Sequence, residues 1–121
     1  MFPVKAADYL QSSGYQGRIF NTYNWGSYLL WRLGPDIKVA ADSRLLNIPV
    51  NEAMRNVSLD PFRQKSDKPY WKEVMDQNEI DMAVVPLMNG LQPSSLPPLF
   101  EFDHEWRLVF KDQISAVYAR N

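Results

Sequence analysis

Asn21 and Tyr23 stand just past one apolar run, Ile19-Phe20, and Asp42, Ser43 and Arg44 stand just past another, Val39-Ala40-Ala41. An amide, a phenol, a carboxylate, a hydroxyl and a guanidinium at neighbouring strand ends suit a small polar site, in which Arg44 and Asp42 hold a carbohydrate or phosphate group. Trp25 and Gly26 complete the candidate ligand-binding set, because a glycine at the turn lets a group approach the backbone closely. The same residues also have a purely structural reading. Asp42 and Arg44 then pair with each other or with turn amides, and Asn21 caps a turn.

The elements that must position these residues form a strand, a tight turn, a helix, a stop and a second strand. Ile19 and Phe20 lack polar alternation, which suits a strand buried on both faces of a parallel sheet. Asn24 is the expected N-cap of a helix over 25–33, whose Trp25, Leu29 and Leu33 make one stripe and Tyr28 and Trp31 another, so burial all round is expected. Gly34 is expected to close the helix in a left-handed conformation, and Pro35 cannot continue it. Two parallel strands joined by a right-handed crossover put both C-terminal ends on one rim, where open α/β sheets bind ligands.

Other chemistry finds less support. His104, the only histidine, lies between Asp103 and Glu105 without the further spaced ligands that metal sites need. Ser12, Ser13, Ser94 and Ser95 lack a nucleophile-elbow context and read as turn or cap residues. Gly14, Gly17 and Gly26 do not form a dinucleotide fingerprint, since the first two precede the strand. The absence of cysteine removes disulfides and thiol catalysis. No catalytic residue, metal ligand or cofactor site is therefore assigned.

With 121 residues, the chain is expected to form one domain over 1–121. Its 13 basic residues against 14 acidic ones are scattered, which argues against nucleic-acid binding through a concentrated basic surface. The high aromatic content, with four Trp, suggests that some surface packs against something else. No stretch approaches the roughly 20 apolar residues that cross a bilayer, and the N-terminus lacks the pattern of a signal peptide. Pro3 at a first helical position, with Val4, Ala7 and Leu10 at helical spacing, predicts an opening helix ending near Gly14. A short helix is expected at 51–57, a polar loop at 59–69, and a helix at 70–77 with Trp71, Val74 and Met75 inward. A central strand is expected at 80–85 and an undetermined Pro/Ser-rich connection at 93–98. The segments 106–111 and 114–120 alternate across a short break at Asp112-Gln113 and predict a hairpin, with Trp106, Leu108 and Phe110 on one face. The expected fold is an α/β three-layer sandwich whose mixed sheet has parallel core strands and a C-terminal antiparallel hairpin.

The run Gly17-Arg18-x-Phe20-Asn21-x-Tyr23-x-Trp25-Gly26-x-Tyr28-Leu29-x-Trp31-x-Leu33, then Pro35, then Lys38-Val39-x-x-Asp42-x-Arg44, resembles the soluble C-terminal domain of bacterial polyprenyl-phosphate-dependent membrane glycosyltransferases. These are of the GT-C type, the protein mannosyltransferase-like group. Trp71, the strand 80–85 and the ending 106–118 match that layout, while Ser43 stands where the pattern carries Gly. The resemblance implies a non-catalytic extracytoplasmic accessory domain, with the anchoring helices upstream of Met1. Such a domain packs on the membrane portion of the same polypeptide and helps to bind or position an acceptor, a carbohydrate or a lipid-linked sugar. In that family the transfer chemistry is attributed to carboxylates near the membrane helices. The alternative is a free-standing small carbohydrate- or phosphate-binding enzyme using the Asp42/Arg44 rim.

The two readings of the Asp42/Arg44 pair differ in stability. If the pair is buried and structural, Arg44→Ala costs on the order of 3–5 kcal/mol, because a desolvated carboxylate is left alone. That is the expected result of urea unfolding, since Val39, Ala40 and Ala41 lead directly into Asp42. A loss of only about 0–1 kcal/mol would mark the pair as open and kept for a ligand.

Overall fold

The computed structural model describes residues 2–34, 37–39 and 69–121. Asp42, Ser43, Arg44, the helix expected at 51–57 and nearly all of the polar loop expected at 59–69 lie outside the described residues. In chain order the elements are α1 (Val4–Ser13), β1 (Gly17–Asn21), α2 (Tyr23–Leu33), β2 (Ile37–Val39) and α3 (Tyr70–Gln77). There follow β3 (Ile80–Pro86), β4 (Met88–Asn89), β5 (Gln92–Pro93), α4 (Leu96–Glu101), β6 (Trp106–Lys111) and β7 (Ser115–Arg120).

Five strands form one mixed sheet in the order β2-β1-β3-β7-β6. β2, β1 and β3 run parallel, whereas β7 is antiparallel to β3 and to β6. Ala6, Ala7 and Leu10 of α1 and Trp25, Leu29 and Leu33 of α2 pack on one face. Trp71, Val74 and Met75 of α3 and Leu96, Leu99 and Phe100 of α4 pack on the other. The architecture is thus the expected α/β three-layer arrangement, with parallel strands in its core and a closing antiparallel hairpin.

β3 is the middle strand and feeds both layers. Arg18 pairs with Ile80 but Ile19 pairs with Met82, so Asp81 is an extra residue in β3. Such a bulge reverses the facing of the residues after it. Ile80 therefore lies in the α3/α4 layer with Ala83 and Val85, while Met82 and Val84 face α1 and α2. A second bulge corrects the alternation expected for β6. Leu108 pairs with Tyr118 but Phe110 with Val117, leaving Val109 extra. Trp106 enters the α3/α4 core, Leu108 is half-exposed, and Phe110 turns to the opposite face and stacks on Tyr9 of α1 at 5.4 Å.

Local chemistry explains where the helices begin and end. Gly14 closes α1 at φ 76°, in the left-handed region, which a residue without Cβ adopts at no steric cost. Gly34 is different from expectation: it is extended, at φ −67° and ψ 156°. Its need for glycine is steric, because a Cβ there would stand 3.0 Å from the Leu30 carbonyl oxygen. α2 starts earlier than expected, with Thr22 at the N-cap and Asn24 already inside the helix. Nor is α2 buried all round, since Trp31 is 77% exposed. Pro3 precedes α1 instead of opening it, and Val4 lies outside the core. The 93–98 connection contains the end of a two-residue-per-strand hairpin, β4 with β5, and the start of α4. Pro97 falls in the first helical turn, where a missing amide costs no helical hydrogen bond.

Two side-chain clusters tie the layers to the sheet. Phe100 meets Trp106 at 4.9 Å, Trp71 and Tyr118 at 5.1 Å and Phe20 at 6.4 Å. The Tyr118 hydroxyl donates to Glu101 Oε1 at 2.9 Å, and burial together with this bond pushes the phenol far above its ordinary value. Two residues further along β7, Arg120 donates through Nη1 to Asp76 at 2.5 Å and through Nη2 to the Ile80 carbonyl at 2.7 Å. Its Nε lies 3.4 Å from Asp81, and its guanidinium covers the Trp106 ring at 5.0 Å. One cation thereby fastens the end of α3, the bulge of β3 and the start of β6.

Phe100 is fully buried among four aromatic rings, whereas Phe102, two residues on, is 88% exposed. Phe100→Ala is expected to cost about 3–5 kcal/mol, from lost transfer energy plus the cavity left behind. Phe102→Ala should stay within about 0.5 kcal/mol. Urea unfolding of both variants measures the contrast.

Candidate functional site

The rim at the C-terminal ends of the parallel strands is built from backbone pairing. Asn21 ends β1 opposite Val84, and Pro86 ends β3 opposite Ser115. Val39 ends β2 beside Ile19, so all three parallel strands finish on the same side. The amide of Leu87 donates to the Ile114 carbonyl at 3.0 Å, and that of Ser94 donates to the Leu87 carbonyl at 2.9 Å. The β4/β5 hairpin is thus fastened at its base to the β6/β7 turn.

Of the expected site residues, the structure describes Asn21, Trp25 and Gly26 and places Tyr23 along the chain. Asn21 is fully buried, and its Nδ2 donates to the Thr22 carbonyl at 2.9 Å, which fixes the turn from β1 into α2. Trp25 is buried in the layer that α1 and α2 make on the sheet. Gly26 is buried beside it in α2. Tyr23 opens α2 at the same rim. Asp42, Ser43 and Arg44 belong to the segment outside the described residues, so the structure neither joins them to Asn21 nor separates them from it. His104 is exposed in the turn before β6, and its carbonyl accepts from Asn121 Nδ2 at 2.8 Å.

Beside Asn21 the rim holds Ser94, expected as a turn or cap residue, and Ser115 and Asp112, which residue type and spacing did not single out for a site. Three polar residues are buried among the described ones, Asn21, Ser94 and Ser115, and all three lie at this end of the sheet. Ser94 Oγ accepts from the Leu96 amide at 3.2 Å, ordering the entry to α4. Asp112 Oδ1 accepts from the Ile114 amide at 2.9 Å, the Ser115 amide at 2.8 Å and Ser115 Oγ at 2.9 Å. Partial burial works against the Asp112 charge, but these three donors outweigh it and hold the carboxyl below its ordinary value. The Asp-x-x-Ser spacing across Asp112 and Ser115 was the available signal, since a short acidic side chain readily accepts from amides two and three residues on.

A carboxylate held ionised by three donors is a poor proton donor at neutral pH. Asp112 is therefore suited to fixing the turn that carries the rim, not to general acid work. Among the described residues no group of three or more His, Cys, Asp or Glu side chains is placed to hold a metal ion. Comparison of the chain with protein-family models, with curated proteins and with solved structures finds no match.

The state of Asp112 has a measurable pH consequence. A carboxyl with a depressed folded pKa contributes stability that is present above its unfolded value, about 3.9, and is lost as pH falls through the folded value. Asp112→Asn is expected to lower stability at neutral pH by about 1–2 kcal/mol. The gap from wild type should narrow as pH drops below the ordinary aspartate range. Urea midpoints across an acid series check both the sign and the window.

Proposed function

We propose that this chain is a non-catalytic accessory domain of a membrane glycosyltransferase-like protein of the polyprenyl-phosphate-dependent GT-C type. In this reading it lies on the extracytoplasmic face, packs on the membrane-spanning portion of the same polypeptide and helps to position the acceptor. The observation that carries it is the β4/β5 hairpin, which rises from the C-terminal end of β3 with an apolar tip. Leu91 is 96% exposed there and Met88 is half-exposed. An apolar projection of Leu91 and Met88 beside the strand-end rim fits a surface that covers it.

The character of the rim agrees with an accessory role. Asn21, Ser94, Ser115 and Asp112 are occupied in holding turns. No helix of the described residues is long and apolar enough to cross a membrane.

Two outcomes are expected. The purified chain should give no saturable sugar transfer from a polyprenyl-phosphate-linked donor, and measurable transfer would refute the accessory reading. In the intact membrane protein, a cysteine replacing Leu91 should cross-link to the membrane portion, whereas one replacing Phe102 should not.

A further inference from the structure

Aromatic and polar side chains on α1 and α2 form a second organised surface, on the helical layer and not at the strand ends. Phe2 stacks on Tyr28 with ring centroids 4.8 Å apart and planes 3° from parallel. Tyr28 meets Trp31 at 6.1 Å with planes inclined by 54°. The Tyr28 hydroxyl accepts from Arg32 Nη1 at 2.7 Å, so this middle ring is held by one neighbour against its face and by another at its end. Arg32 Nη2 also donates to Asp8 Oδ1 at 2.5 Å and to Gln11 Oε1 at 2.8 Å. Gln11 Nε2 returns a bond to the Arg32 carbonyl at 2.6 Å. The result is a Tyr28 ring held on two sides, with Trp31 beside it and a carboxylate, an amide and a guanidinium oriented by one another.

The three other tryptophans are buried, while Trp31 is 77% exposed and Phe2 53% exposed. We infer that the Trp31/Tyr28 surface is a carbohydrate-binding platform, on which the apolar C–H face of a neutral pyranose lies against the indole while Asp8 and Gln11 take its hydroxyls. The inference rests on the acceptor-binding reading above for its ligand class alone.

Size and charge favour this occupant. At about 150–250 Å² per ring, the exposed parts of Trp31 and Phe2 offer on the order of 300 Å². A stable protein interface takes roughly 800 Å² from each partner, but a single sugar ring needs no more than the smaller area. An anionic membrane surface is recognised by clusters of roughly 4–8 bases, and this stretch has Lys5 and Arg32 against Asp8, with Arg32 already paired. A pyranose matches what is present: one apolar face for a rigid ring, and a polar edge for planar groups whose orientation is set before binding.

The test is a titration of the chain with mannotriose, cellotriose and maltotriose, followed through the indole N–H resonances. The platform predicts that at least one of these shifts the Trp31 signal saturably at millimolar concentration while the three buried indoles stay put. Trp31→Ala should weaken binding by about tenfold or more, Trp31→Phe should keep part of it, and Phe102→Ala should leave it unchanged, all with unaltered urea midpoints. If no sugar shifts Trp31, or if Trp31 instead mediates self-association or binding to phosphatidylglycerol vesicles, the inference is overturned. Sugar binding that survives Trp31→Ala undiminished would also overturn it, while leaving the acceptor-binding reading intact.

Discussion

Everything in this domain depends on β3 being buried on both faces at once. It is hydrogen-bonded to β1 on one side and β7 on the other, and its side chains supply both helical layers. A strand with regular alternation would send Ile80, Met82 and Val84 to one face. The extra residue at Asp81 lets Ile80 fill the α3/α4 layer while the two later residues fill the α1/α2 layer. The exposed carboxylate of that bulge then lies against Arg120. The irregularity is thus held by an ion pair in which the guanidinium also caps an aromatic ring and a carbonyl.

The two ends of the sheet are consequently of different character. At the N-terminal end of β3 the polar groups bind one another across elements, with Arg120 joining Asp76, Asp81 and the Ile80 carbonyl. At the C-terminal end they bind within turns, as Asp112 does with Ser115 and Asn21 with Thr22. Turns stiffened by their own side chains leave the surface above them free to be shaped by what is placed on it. In the accessory reading proposed above, that rim and the exposed Leu91 beside it are the surface placed against the membrane portion.

Much of the fold could be read from the order of residues because the strongest local signals agreed with the tertiary answer. Continuous apolar runs marked β1 and β3, the spacing of Trp71, Val74 and Met75 marked α3, and the break at Asp112 marked the closing hairpin. The failures have physical causes. Periodicity assumes one residue per step, so it misjudged Leu108 and Phe110, which a bulge moves to different surroundings. Gly34 looked like a left-handed cap, but a glycine required by a close carbonyl leaves the same letter in the sequence. α4 was hidden because prolines read as helix breakers, although in a first turn they are tolerated. A count of apolar positions buried α2 on all sides, whereas only the stripe of Trp25, Leu29 and Leu33 has a sheet beneath it. Of the candidate site, the pattern of residue types placed Asn21 at a strand end and left open how it is bonded, since that depends on the turn it closes.

The strand order carries a consequence for the making of the molecule. β7 comes after β6 in the chain yet lies between β6 and β3, so β6 is an edge that can join the sheet only through a strand synthesised after it. Until β7 emerges, β3 offers an open, apolar edge, and Phe100 and Trp106 have no Tyr118 to close over. During translation the nascent chain therefore passes through an interval with its central apolar strand half-paired. A helper that shields such an edge has its opportunity in that interval.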